Sequence, residues 1–160
     1  MIVLGIDPGK SGALAFYDPG RDELEVLDIP TIQAGPKGRT AVDEEGVAAI
    51  IRSRADFVSH AWLEQVGVMP GEGAVGAFSF GTTFGLLRMA LVAHFIPRTL
   101  VTPVKWKRAL SVPAAKDGAV ARACQLLPRH AGLFRGPRGG LMDGRAEAAL
   151  IAYYGAKHAA

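Results

Sequence analysis

The sequence carries a single cysteine, Cys124, among 160 residues. One thiol excludes an internal disulfide and leaves no thiol pairing for a zinc site, so a reducing cytoplasm is the expected setting. Charge of one sign is also scarce: the formal net charge is +3, although the sequence pI of about 9.2 leans basic. That balance permits a polyanionic partner without requiring one, because placement matters more than the total. No uncharged, glycine-poor apolar segment is long enough to cross a bilayer, so no membrane partner is expected. The N-terminal stretch lacks a basic n-region and is interrupted at Asp7, which argues against a signal peptide. Internal repeats and low-complexity tracts are missing as well. What is abundant is apolar residues, at 49%. This length and composition suit one domain over residues 1–160 with a sizeable core.

The most informative stretch is the first. Met1 to Ile6 is a near-continuous apolar run, as expected of a strand buried on both faces, and it ends on Asp7. Pro8 holds Asp7 extended and cannot continue a central ladder. Gly9 and Gly12 permit a reversal, and Ala13 to Tyr17 reads as a strand returning beside the first. Leu24 and Val26 alternate with Glu23 and Glu25, predicting a half-exposed third strand that ends near Pro30. Residues 33–39 read as a Gly/Pro loop, with Thr40 capping a helix whose apolar face is Val47, Ile50 and Ile51. Phe57 to Leu63 is a second apolar run that leads into an acid, Glu64.

From about Ala74 a long helix is expected, with Phe84, Leu87, Leu91 and Phe95 as its apolar stripe, serving as core, dimer seam or both. Gly81 and Gly85 lie one turn apart and would let a second backbone come close. Arg98 to Val101 reads as the fifth strand. Thr102-Pro103 reads as a capped helix start, followed by Lys105, Lys107 and Arg108 around Trp106, itself expected to be core or cover. A short helix from about Ala114 to Leu127 and a basic loop to Gly140 precede an alanine-rich helix that starts at Asp143. This order predicts a mixed-sheet α/β domain.

Asp7 and Glu64 each end a buried strand, where open α/β sheets place their ligands. Asp143 and Glu147 are four apart and so project from one helix face. Two carboxylates about 4 Å apart repel by roughly 4 kcal/mol at an effective dielectric near 20. Four together therefore call for divalent cations, and oxygen-only ligands favour Mg²⁺ or Mn²⁺ over zinc. Each acid also has an ordinary reading: Asp7-Pro8-Gly9 as a turn, Glu64 as a paired surface acid, and Asp143 and Glu147 as helix N-terminal charges. Arg145, between the last two, could pair with either. Only the combination points to chemistry.

In these residues the chain resembles the RuvC-type Holliday junction resolvases of the ribonuclease H-like superfamily. The likeness lies in Gly5-Ile6-Asp7-Pro8-Gly9, in Glu64-Gln65-Val66 with Met69 and Gly81, and in Asp143-Gly144-Arg145-Ala146-Glu147-Ala148. The Asp-Gly-x-Ala-Glu form looks like phage-type relatives. The resemblance implies a ribonuclease H-like mixed five-stranded sheet flanked by helices. It also implies a homodimer in a bacterial cell that resolves four-way DNA junctions, in recombination or repair, by paired nicks using two Mg²⁺ ions, with Mn²⁺ as substitute. By motif position Asp7, Glu64, Asp143 and Glu147 would hold the metal, with Lys105 and Lys116 beside the scissile phosphate. Two features depart from the family pattern. The last two acids are four rather than three apart, and Gly67 stands where an aromatic often wedges the junction open. A wedge would then come from Met69, Phe78 or Phe80. Lys10, Lys37, Arg39, Lys107, Arg108, Arg129, Arg135 and Arg138 could contact phosphates, though any one of them alone reads as solvated surface. Two other readings stay open: a branched-nucleic-acid-binding module without catalysis, and an actin- or sugar-kinase-like nucleotide-binding protein, whose two lobes 160 residues would not supply.

Overall fold

The apolar run at the N-terminus forms the central strand of the molecule. In the computed structural model, which describes residues 1–35, 38, 40–67, 71 and 73–158, β1 (Ile2–Asp7) pairs antiparallel with β2 (Ala13–Asp18) and parallel with β6 (Val58–Glu64). β3 (Glu23–Asp28) extends one edge and β7 (Arg98–Val101) the other, so the five-stranded sheet runs β3-β2-β1-β6-β7. This mixed sheet flanked by helices is the architecture expected from the sequence. β4 (Thr31–Gln33) and β5 (Thr40–Val42) add a separate two-stranded ribbon on either side of the expected 33–39 loop, and neither strand was expected from the sequence.

Alternation along β1 builds two cores. Val3, with Ala13, Ala15, Tyr17 and Trp62, faces α3 (Pro103–Ala109), α4 (Gly118–Leu126) and α5 (Asp143–His158). Leu4 and Ile6, with Leu14, Phe16 and Leu63, face α1 (Glu44–Arg52) and α2 (Ala74–Ala93). Gly5 belongs to the first face and has no side chain there because α5 crosses directly over it. A Cβ at Gly5 would run into the carbonyl oxygen of Ala148 and the amide of Ala152.

Several local expectations give way to tertiary structure. Thr40 lies in β5, and Asp43 caps α1 by accepting from the Gly46 amide at 3.0 Å. Thr102 does precede α3, but its hydroxyl makes no cap bond. Phe95 is not on the inner stripe of α2: it follows the helix end with φ of 55° and is 93% exposed. Leu87 and Leu91 are fully buried, and Phe84 is half-buried. The basic stretch after Leu127 begins with a 3-10 helix, Pro128–Phe134, anchored by buried Phe134. Lys37, Arg39 and Met69 lie outside the described residues.

Gly5→Ala is expected to lower unfolding stability by about 3 kcal/mol, the upper part of the usual overpacking range, since backbone rather than a movable side chain blocks the methyl. Urea denaturation checks this; a variant as stable as the parent would mean α5 is not seated on β1 as described.

Candidate metal centre

Each acid of the site is positioned by an element the sheet holds in place. Asp7 is the last residue of β1, and Pro8, lacking an N–H, ends the strand there. The Gly12 amide bonds the Gly9 carbonyl at 2.9 Å and closes the turn, while the Gly9 amide approaches Asp7 Oδ1 at 3.4 Å. Glu64 is the last residue of β6, the adjacent parallel strand, and is only 5% exposed. Glu147 comes from the first turns of α5. That end of the helix is seated tightly, because a Cβ at Gly144 would collide with the backbone at Ser11 and Gly12, the loop that follows Asp7.

Arg145 settles the orientation of α5. It does not pair with Asp143 or Glu147. Its Nε and Nη2 donate to both oxygens of Asp28, at the end of β3, at 2.6 Å each. Residues two apart on a helix point away from one another, so an arginine between two acids at i−2 and i+2 reaches neither. The fork ties the start of α5 across the sheet edge and leaves Glu147 to turn inward.

One carboxylate oxygen from each of Asp7, Glu64 and Glu147 lies within 4.8 Å of the other two. Asp143 is not in this group. It is exposed, one turn earlier on α5, and borders the neighbouring cleft of about 430 Å³ together with Glu147, Lys107 and Lys116. Lys105 is exposed on α3 and Lys116 precedes α4. Three acids therefore converge, with the fourth at the rim.

Two residues complete the site that acid spacing alone does not reveal. The buried Trp106 indole donates its Nε1–H to Glu64 Oε1 at 2.8 Å, and Lys107 Nζ donates to Glu147 Oε1 at 2.7 Å. A signal for the first exists: a buried tryptophan needs a partner for its N–H, and Glu64 is the buried acid available. The reading of Trp106 as core is correct for its ring and incomplete for its nitrogen.

Burial pushes the Asp7 carboxyl from the ordinary 3.8 up to about 7, with the Glu64 and Glu147 charges adding to the effect; the Gly9 amide and the Lys107 ammonium pull the other way and lose. Burial raises Glu64 as well; the Trp106 hydrogen bond opposes it and Glu147 reinforces it. The three acids resist joint ionisation unless more positive charge arrives. Oxygens no more than 4.8 Å apart are near enough for a single cation to touch all three. The donor set is all oxygen, so the residues fit a hard divalent cation.

With this geometry in view, the class of fold is clear: the chain has a ribonuclease H-like fold, with acids from the central strand, its parallel neighbour and the last helix meeting at one edge. Among solved structures it is similar to Thermus thermophilus RuvC, with a TM-score of 0.57 and 21% identity over 99% of this chain and 97% of that one. It is likewise similar to T. thermophilus RuvC in complex with a Holliday junction substrate, with a TM-score of 0.63 and 18% identity over 99% of this chain and 94% of that one. At such identities the likeness is one of fold. No protein-family model and no curated protein matches the sequence.

The raised Asp7 pKa has a definite sign in stability. The folded protein keeps a proton on Asp7 that the unfolded chain releases near its ordinary value of 3.8. Between about pH 4 and pH 7 the folded state binds more protons, so stability falls as pH rises through that window. In chelator, stability is expected to fall by a few kcal/mol between about pH 4 and pH 7 and then level off, with the melting temperature falling alongside, and Asp7→Asn should flatten the slope. A wild-type profile that is flat or rises would contradict the burial of this charge.

Proposed function

We propose that the chain is a structure-selective DNA endonuclease that cuts four-way junctions or related branched DNA by divalent-metal-dependent phosphodiester hydrolysis. The observation that carries this reading is the convergence of Asp7, Glu64 and Glu147 at one edge of a ribonuclease H-like sheet. The similarity of fold to a RuvC seen with a Holliday junction substrate supports the choice of DNA over other phosphodiesters. On this reading the protein works in the bacterial cytoplasm, as a phage-type relative, in recombination or repair.

The three acids would hold Mg²⁺, or Mn²⁺ in its place, as one or two ions, with Asp143 available at the rim. Bound there, such ions would supply activation of a water and stabilisation of the leaving oxygen. The chain's own contribution is positioning. Trp106 holds one oxygen of Glu64 and leaves the other for a ligand. The cleft lined by Lys107, Lys116 and Asp143 accepts the phosphate backbone beside the acids. Lys105, Arg108, Arg135 and Arg138 are exposed and can extend that electrostatic path. Lys10 is exposed too and spends its ammonium on the Thr40 carbonyl at 3.1 Å. Arg129 is less available, being paired with Asp22 at 3.5 Å. Phe78, on α2 and 79% exposed, suits a junction wedge better than half-buried Phe80, which lines a groove with Lys10, Thr40 and Thr83.

Paired nicks need two active sites, and α2 supplies a reason for pairing. Its inward side is Thr83, Leu87 and Leu91. Phe78, Gly81, Gly85, Met89 and Val92 follow at spacings of three and four on the other side. Phe78, Met89 and Val92 are exposed, and a Cβ on either glycine meets nothing within 4 Å. This helix of 20 residues is long and apolar enough to cross a membrane, but its inner side packs in the core of this domain. An exposed apolar face of this size, here bordered by Arg88, is of the kind a partner surface covers. On this reading a second copy of the chain covers the outer face from Gly81 to Val92, and Phe78, near the start of the helix, is left to the junction.

With Mg²⁺, wild-type protein should nick a synthetic four-way junction at symmetric positions, while Asp7→Asn should bind it and cut at least about a thousand-fold more slowly, the scale of losing a metal-held reaction. Gel assays over junction, flap, loop and duplex substrates check this. Duplex cut as readily as junction overturns the selectivity; binding without cleavage of any substrate, even with Mn²⁺, makes the chain a binding module. Sedimentation should give a dimer that Met89→Glu converts to monomer without loss of fold. A monomeric wild type at tens of micromolar would remove the second-copy reading of α2.

A further inference from the structure

Trp106 and Lys107 are consecutive residues of α3, yet their side chains serve two different acids. The indole is fully buried and ends on Glu64; the ammonium passes at 5.1 Å from the centre of the Trp106 ring and ends on Glu147. Among the described residues, Lys107 is the only cation within ion-pair distance of any of the three converging acids. Its neighbours in sequence do not substitute for it. Lys105 is exposed and makes no such pair, and Lys116 borders the cleft without reaching a carboxylate.

The pair is only partly open to water, the Lys107 side chain at 38% and Glu147 at 22% exposure. An ammonium at 2.7 Å from Glu147 Oε1 occupies an oxygen that an incoming cation would use. Lysine suits a temporary occupant: its charge is a compact point on a flexible four-carbon stem, without the rigid fork by which arginine locks onto a carboxylate. Arg145 on Asp28 is that locked kind, and it lies outside the acid cluster. Lys107 also borders the cleft beside the acids, so a released ammonium faces the place where phosphate would lie.

We propose that Lys107 is a built-in counter-ion of this site, which steadies the converging acids while no divalent cation is bound and must leave Glu147 before one can take that oxygen. This inference rests on the reading of the three acids as an ion site. It gives Lys107 two opposed effects: it stabilises the ion-free fold, and it weakens ion binding by direct competition. A lysine that served only to contact DNA phosphate would have neither effect in the absence of DNA.

The test is made without DNA, on Lys107→Met, Lys107→Gln and Lys107→Arg beside the wild type. Each is titrated with Mn²⁺ by calorimetry and melted in chelator and in saturating Mn²⁺. Lys107→Met and Lys107→Gln are expected to bind Mn²⁺ about ten-fold more tightly, to melt lower than wild type in chelator, and to show a wider gap between ion-free and ion-loaded melting. Lys107→Arg, which keeps the charge, stays on the wild-type side of both readouts. Should the methionine variant not fold in chelator but fold with Mn²⁺, that supports the proposal; should it fold in neither, the glutamine variant carries the comparison. Unchanged or weaker Mn²⁺ affinity in a folded neutral variant overturns the counter-ion role while leaving the ion site standing. Absence of Mn²⁺ binding by wild type itself overturns the ion site, and with it this inference.

Discussion

The structure depends on an electrostatic constraint: three carboxylates share one partly buried edge of an apolar sheet. Burying one ion unpaired is already costly, and like charges about 4 Å apart add several kcal/mol in a protein interior. The surrounding chain answers with directed positive ends. The Gly9 amide faces Asp7, the Trp106 N–H is bonded to Glu64, and the Lys107 ammonium is bonded to Glu147. Even so, Asp7 and Glu64 remain biased toward protonation. A site held short of charge balance in this way is suited to taking up cations.

Holding the acids together is the work of backbone contact more than of side-chain choice. β1 and β6 run parallel as neighbours, so their C-terminal residues, Asp7 and Glu64, emerge side by side. α5 brings the third acid because glycine at 5 lets it lie flat on β1, and glycine at 144 lets its first turn press against the Ser11–Gly12 loop. The Arg145–Asp28 fork then sets its rotation. Packing, turn and ion pair all restrict the same helix, and each leaves Glu147 pointing toward Asp7.

The second organising feature is α2, which is apolar on its inner side and along much of its outer side, beside exposed Arg88. Leu87 and Leu91 complete the core against β1 and β6, while Phe78, Met89 and Val92 extend the same chemistry outward past two glycines. A stripe defined by Phe84, Leu87, Leu91 and Phe95 mixes the two roles. Phe95 leaves the stripe because the helix ends at Ala93, and a residue in left-handed conformation then swings the chain toward β7.

Most of the sheet was legible in the order of apolar runs. Strands 2–7, 13–18 and 98–101 have burial and turn residues that state their own limits. The ribbon of β4 and β5 was not legible: its strands have three residues each and no buried position, so no local pattern marks them. In the site, Asp7 and Glu64 stood out because an acid after an apolar run is a local event. What sequence could not decide was which end acid turns inward, where Arg145 reaches, and that Trp106 and Lys107 address two different carboxylates. Those outcomes depend on how α3 and α5 are rotated against the sheet. A rotation is fixed by contacts between residues 40 to 117 positions apart, such as Trp106 with Glu64, Lys107 with Glu147 and Arg145 with Asp28. The sequence by itself therefore determined which acids and strands are present. Only the tertiary structure decided which of them meet, because meeting is a property of packed helix faces and not of spacing along the chain.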